Sequence, residues 1–113
     1  MNFHDLANLP GTVTLVPSPH PEREIEDAFT SDLLSDVMAN APENSVLITL
    51  QAHKNTIACA SLAGGAAVLL AGHVSVGNEV LQAAAQEGIA LLGSPENQFH
   101  LSVRVGGLLG NKD

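Results

Sequence analysis

The sequence has no tryptophan, no tyrosine and only three phenylalanines, Phe3, Phe29 and Phe99. Its core must therefore be aliphatic, made of Val, Leu, Ile and Ala, as is common in α/β domains with parallel strands. Cysteine is nearly absent. Cys59 stands alone, so no internal disulfide forms, and a reducing cytoplasm is the expected location. Basic residues are scarce: four Lys and Arg oppose twelve Asp and Glu, for a formal net charge of −8. Eight of the acids (Asp5, Glu22, Glu24, Glu26, Asp27, Asp32, Asp36 and Glu43) precede residue 45, with only Arg23 against them. Such a surface repels a phosphate backbone, so no nucleic-acid partner is expected. A long hydrophobic run is missing too. The longest, Thr56 to Ala71, is broken by Gly64-Gly65 and is shorter than the ~18 residues a spanning helix needs. No membrane partner is expected, and no basic segment leads into an apolar stretch as a signal peptide would.

What is present is 113 residues, 45% of them hydrophobic. That length suits a single domain over residues 1–113 with one modest core, and that hydrophobicity excludes wholesale disorder. Residues 2–8 read as a short helix with Asn2 as N-cap, stopped by Pro10-Gly11. Thr12 to Val16 is β-branched and strand-like, and the prolines at 17, 19 and 21 make a loop. Arg23 to Thr30 alternates weakly, with Ile25 and Phe29 on one side of a strand. Ser31 or Asp32 caps a helix to about Asn40, whose apolar face is Leu33, Leu34, Val37, Met38 and Ala41.

Ser45 to Leu50 is apolar throughout except for Thr49, the pattern of a strand buried on both faces. A helix over about His53 to Ala63 follows, ended by Gly64-Gly65, then a strand over Ala66 to Ala71. A helix over Gly77 to Glu87 is stopped by Gly88. Ile89 to Leu92 is the last strand and Pro95 to Leu109 the last helix, with Phe99, Leu101, Val103, Val105 and Leu109 among its apolar positions. Gly110 onward should fray. The order implies βαβ crossovers and an α/β fold: a small, mostly parallel sheet of four to five strands covered by helices.

In such a sheet, ligands gather beyond the carboxyl ends of the strands. Three connections should reach that rim, Thr49 to Asn55, Gly72 to Ser75 and Gly93 to Gln98, and a fourth, Thr30 to Asp32, joins them if the strand before it is parallel to the others. Each opens a helix and offers free N–H groups. Ser31, Asp32, Ser35, Thr49, Gln51, His53 and Asn55 are the candidate ligand-binding residues. Capping alone accounts for single Ser or Asn residues at such positions, but the set Gln51, His53 and Asn55 has more polar residues than a cap needs. His53 and His73, with Asp32 or Cys59, sketch a metal site, yet no compact ligand spacing supports it. Cys59 sits in an alanine-rich helix, where an inert thiol is expected. No phosphate-binding glycine loop, dinucleotide fingerprint or nucleophile elbow is present. Neither a cofactor nor a catalytic residue is therefore expected.

The run Ser31-Asp32-Leu33-Leu34-Ser35-Asp36-Val37-Met38-Ala39-Asn40-Ala41, followed by Ile48-Thr49-Leu50-Gln51-Ala52-His53-Lys54-Asn55, resembles the DRTGG domain family. That family has a strand with a glycine-containing turn, a D-L-L-S-x-V-M helix and an apolar strand ending I-T-x-Q-x-H-x-N. Leu69-Leu70-Ala71 and Glu87-Gly88-Ile89-Ala90-Leu91-Leu92 follow its order, and the resemblance covers roughly residues 24–108. The family's glycine-containing turn is replaced here by Glu26-Asp27-Ala28. The resemblance implies a small α/β accessory module, similar to the amino-terminal domain of HPr kinase/phosphorylase, without assigned catalytic residues. Three functions follow as expectations. One is a regulatory or assembly module that self-associates, as a homo-oligomer with a dimer favoured. Another is a sensor of a nucleotide or other small phosphorylated metabolite at the rim. The third and most remote is an enzyme with His53 as base and Asp32 orienting it.

Overall fold

Three strands without hydrophobic alternation need cover on both faces, and the chain supplies it. The structure, a computed structural model, describes residues 1–110; the expected fraying beyond Gly110 lies outside them. The elements run α1 (Phe3–Ala7), β1 (Val13–Val16), β2 (Asp27–Thr30), α2 (Leu34–Asn40), β3 (Ser45–Thr49), α3 (Lys54–Leu62), β4 (Ala67–Leu70), α4 (Asn78–Glu87), β5 (Ala90–Gly93) and α5 (Gln98–Leu109). The five-stranded sheet has the order β1-β5-β4-β3-β2. β2 through β5 are parallel neighbours, and β1 closes one edge antiparallel to β5. This is the mostly parallel α/β fold expected from the sequence.

Alternate residues of the central strands feed two separate cores. Val46 and Ile48 of β3, Leu69 of β4 and Leu92 of β5 pack with Phe3 and Leu6 of α1 and Leu101 and Val105 of α5. Leu47, Val68, Leu70 and Leu91 pack with Val37 of α2, Ile57 and Ala60 of α3, and Val80 and Ala84 of α4. Helices α2, α3 and α4 therefore lie on one face, and α1 and α5 on the other. Each fully buried Leu, Ile or Val contributes roughly 1.5–3 kcal/mol relative to an exposed one.

Local chemistry ends the elements where the sequence says it should. Asn2 caps α1 in a capping box: its side chain accepts from the Asp5 N–H at 3.1 Å, while its own N–H donates to Asp5 Oδ2 at 2.9 Å. Gly88 ends α4 at φ +68°, a left-handed conformation that glycine adopts without Cβ strain.

Several expectations are corrected. The second strand does not begin at Arg23. The Ile25 N–H donates to Met1 O at 2.6 Å and the Glu26 N–H to Asn44 O, so these residues tie down the amino terminus and join no ladder. As a result Ile25 enters the α1/α5 core and Phe29 packs against the other; they do not share a side. In α2 only Val37 is buried, and Leu33 and Met38 are 64% and 46% exposed. This short helix starts at Leu34 and presents one narrow stripe to the sheet. The last helix begins three residues late, after the prediction's Pro95, with Asn97 accepting from the His100 N–H at 2.9 Å. Its apolar positions split between two faces. Leu101 and Val105, four apart, are buried, whereas Phe99 and Val103 are 70% and 60% exposed. Those four residues alternate in sequence, and a helix cannot point an alternating set one way.

That split gives a direct test. Leu101→Ala should cost about 2–5 kcal/mol of stability by opening a cavity, whereas Phe99→Ala should change it by no more than about 0.5 kcal/mol. Urea unfolding of the two variants measures both.

Candidate functional site

Where β2 and β3 end, the Ser31 N–H still donates to Ile48 O, extending the parallel ladder. The next residue, Asp32, is half-buried. Its Oδ1 accepts three hydrogen bonds: from Thr49 Oγ1 at 2.9 Å, from the Leu50 N–H at 2.7 Å and from Gln98 Nε2 at 3.0 Å. Asp32 is thus not a helix cap. It is a latch joining the β2–α2 connection, the end of β3 and the first turn of α5. Thr49 Oγ1 in turn accepts from the Gln51 N–H at 3.1 Å, and Thr56 Oγ1 donates to Gln51 O at 2.7 Å, fixing the entry to α3. Ser31 Oγ accepts from the Leu33 N–H at 3.1 Å and shapes the turn. The N-cap position of α2 is Leu33, which has no capping side chain, so neither Ser31 nor Asp32 takes the expected role.

Ser31, Asp32, Thr49 and the backbone of Gln51 therefore form one hydrogen-bonded unit. Ser35, His53 and Asn55 are exposed and stay outside it. His53 occupies the N-cap position of α3 without a side-chain hydrogen bond. Asn55 borders an open groove of about 430 Å³ between α3 and α4, lined also by Lys54, Ser61, Leu62, Gln86 and Glu87. No hydrogen bond joins His53 to Asp32, so the base–orienter pair of an acid–base enzyme is not assembled here. Among the described residues, no group of three or more His, Cys, Asp and Glu is placed to hold a metal. Cys59 is half-buried and packs against the α2–α4 core.

Gln98 was not among the candidate residues. Its connection could be placed at the rim from sequence. That α5 then turns beneath the sheet to reach β2, where Ser102 Oγ lies 2.7 Å from Thr30 Oγ1, has no local signal. The β5–α5 connection runs back past the end of β4: the Gly72 N–H donates to Glu96 O and the His73 N–H to Ser94 O. Arg104, two turns into α5, holds Glu96 in a two-bond ion pair through Nε to Oε2 and through a second guanidinium nitrogen to Oε1 at 3.0 Å.

A second feature of the rim lies at β4 and β5. An open hollow of about 330 Å³ is lined by Leu70, His73, Val74 and Val76 from the β4–α4 side, by Gly93, Ser94 and Pro95 from the β5–α5 side, and by Gly11, Val13 and Leu15 near the edge strand.

With this geometry in view, comparison with known proteins is informative about the fold. No family model matches the sequence and no curated protein matches it significantly. Among solved structures, the chain resembles the CBS and DRTGG domains of the regulatory region of a Clostridium perfringens pyrophosphatase, solved in complex with its activator, diadenosine tetraphosphate. The TM-score is 0.74 at 11% sequence identity, over 92% of this chain and 45% of that one. At that identity the likeness is one of fold, and this chain spans less than half of the other's length. That fold is in keeping with the resemblance to DRTGG domains carried by the Asp32–Met38 and Ile48–Asn55 segments.

Two outcomes check the site. Asp32→Ala strands the Leu50 N–H, the Thr49 hydroxyl and the Gln98 amide, and should cost about 1–3 kcal/mol; His53→Ala, which removes no hydrogen bond, should change stability by no more than about 0.5 kcal/mol. Chemical denaturation separates them. The Arg104 hydrogen bond holds the Glu96 carboxyl below the ordinary glutamate range; burial opposes it, and the charges of Arg104 and His100 add to the lowering. A carboxyl lowered on folding adds stability above its unfolded pKa and loses it as pH falls through the folded one. In an NMR titration, Arg104→Gln should raise the Glu96 midpoint.

Proposed function

We propose that these 113 residues form one DRTGG-like domain acting as a non-catalytic regulatory and assembly module, self-associating as a homodimer. One observation supports it above the others: the fold is shared, over nine-tenths of the chain, with the regulatory region of another protein. The rim's chemistry points the same way. Its carboxylate Asp32 is engaged by three donors, and no histidine or cysteine is among them. Some of the small residues between Ala58 and Ala67 are used within the fold. Ala60 and Ala67 are buried, and a Cβ on Gly65 would stand 3.0 Å from Ala60 O. Among the exposed apolar surfaces, the outer face of α5, where Phe99 and Val103 lie one turn apart, is the one proposed to meet a second copy. A lone, free Cys59 fits a reducing cytoplasm, and no helix among the described residues is long and apolar enough to cross a membrane.

A second reading, a sensor of a nucleotide or other small phosphorylated metabolite at the carboxyl rim, is favoured by the nucleotide activator bound to the structural neighbour. Ser31, Asp32, Ser35, Thr49, Gln51, His53 and Asn55 are its proposed contacts.

Light scattering at micromolar concentration should show a dimer, and the Phe99→Asp/Val103→Asp pair should return it to monomer with its fold intact. A wild-type chain still monomeric at about 1 mM, weaker than any useful association, removes self-association. For the sensor, a ligand at about 100 times its dissociation constant should stabilise the fold by about 2.7 kcal/mol in a thermal-shift screen of nucleotides and acyl phosphates.

A further inference from the structure

Helices α2, α3 and α4 cover one face of the sheet, and α5 covers the other. From β2 onward the chain changes face once, between the β4–α4 connection, which goes one way, and the β5–α5 connection, which goes the other. Open α/β sheets bind ligands where adjacent connections part like this, beyond the carboxyl ends of the strands. The 330 Å³ hollow lies at this point, with Leu70, His73, Val74 and Val76 from one connection and Gly93, Ser94 and Pro95 from the other. The seven rim residues singled out from sequence do not line it.

We infer that this hollow is a binding site for an uncharged, flat heteroaromatic ring of purine type that carries a hydrogen-bond acceptor. The inference rests on the sensor reading of the rim, moves its centre from β3 to the parting of the β4 and β5 connections, and concerns the base of a nucleotide and not its phosphates. Three features select the ligand. The walls are apolar, formed by Val13, Leu15, Leu70, Val74 and Val76, and the lining contains no Asp, Glu, Lys or Arg. On a chain of net charge −8, a site without a cation does not draw in a carboxylate or a phosphate. The nearest helix start in sequence gives no help to an anion, because the Glu79 carboxylate lies against Gly77, the N-cap position of α4.

Ser94 supplies the polar selection. It is 5% exposed, and its Oγ accepts from the Glu96 N–H at 3.2 Å, but its own O–H has no acceptor among the described residues. A buried donor left unmade is costly, and a ring nitrogen or carbonyl seated in the hollow would accept from it. The size fits as well, since the hollow is at the small end of ligand pockets, suited to one ring system. His73 brings the hollow's one aromatic ring. It is held at φ +60°, where non-glycine residues are uncommon.

The test is a titration of the full chain with adenosine, followed by ¹H–¹⁵N spectra, with inorganic phosphate and hexanol as parallel probes. Adenosine should give saturable shifts at His73, Val74, Gly93 and Ser94, and phosphate should not. Ser94→Ala should weaken adenosine about tenfold. Val13→Phe, at a position 59% exposed and outside both cores, should fill the hollow and abolish binding while the melting temperature stays unchanged. The inference is overturned if adenosine gives no saturable shift, if Val13→Phe binds it normally, or if hexanol alone produces these shifts. Shifts confined to Leu50 through Asn55 would also overturn it while leaving the sensor reading in place.

Discussion

The constraint on which the rest depends is that β3, β4 and β5 are buried on both faces. Every residue of β3 and β4 is inaccessible to solvent, so neither face of the sheet can be left to water. Three right-handed crossovers, through α2, α3 and α4, cover only one face. The other is left for whatever remains of the chain, which is α1 before the sheet and α5 after it. Helix α5 must therefore leave β5 in the direction opposite to α4 and turn back beneath β3 and β2. The change of face at β4 and β5 follows from that need for cover.

The same return places Gln98 beside Asp32. A helix arriving under the far strands needs a register, and an apolar face alone specifies it weakly. Asp32 Oδ1 supplies one. It accepts from Gln98 of α5 and, at the same time, from Thr49 and Leu50 at the end of β3. The Thr30–Ser102 contact, one turn further along α5, adds a second point. The acidic residue expected as a ligand contact thus has a structural role as well, between strands and helix.

How much could be read in advance depends on how local the signal is. The continuous apolar runs at Val46–Ile48 and Ala67–Leu70 marked doubly buried strands, and Gly88 marked the end of α4, because each follows from its own few residues. The parallel order of the strands followed from the alternation of elements. Phe99 and Val103 misled because apolar residues two apart read as one set until the helix is drawn, and then they lie away from Leu101 and Val105. Ile25 misled because its backbone is bonded to Met1, a partner 24 residues away. The seven candidate residues divided in the same way. Thr49 and Asp32 lie at strand ends that the ladder brings together, while Ser35 sits at the start of α2 and His53 and Asn55 at the start of α3, with no common partner. The hollow at β4 and β5 was illegible, since no residue there says which face the next helix takes.

This division bears on the proposal of binding over reaction at the rim. Catalysis by acid and base requires a proton acceptor held and oriented near a reacting atom. The rim's oriented carboxylate is taken up by the fold, and its histidines, His53 and His73, are exposed and without hydrogen-bonded partners at their rings. Binding asks less: an apolar surface shielded from water, a few unspent polar groups and walls that can respond. The two connections bounding the hollow are bonded to each other through Gly72, His73, Ser94 and Glu96, so a ligand there would press on both. One of them leads directly to α5, whose inner face completes a core and whose outer face carries Phe99 and Val103. On the proposed reading, a displacement at the hollow would be felt along that helix and so at the face proposed to meet a second copy.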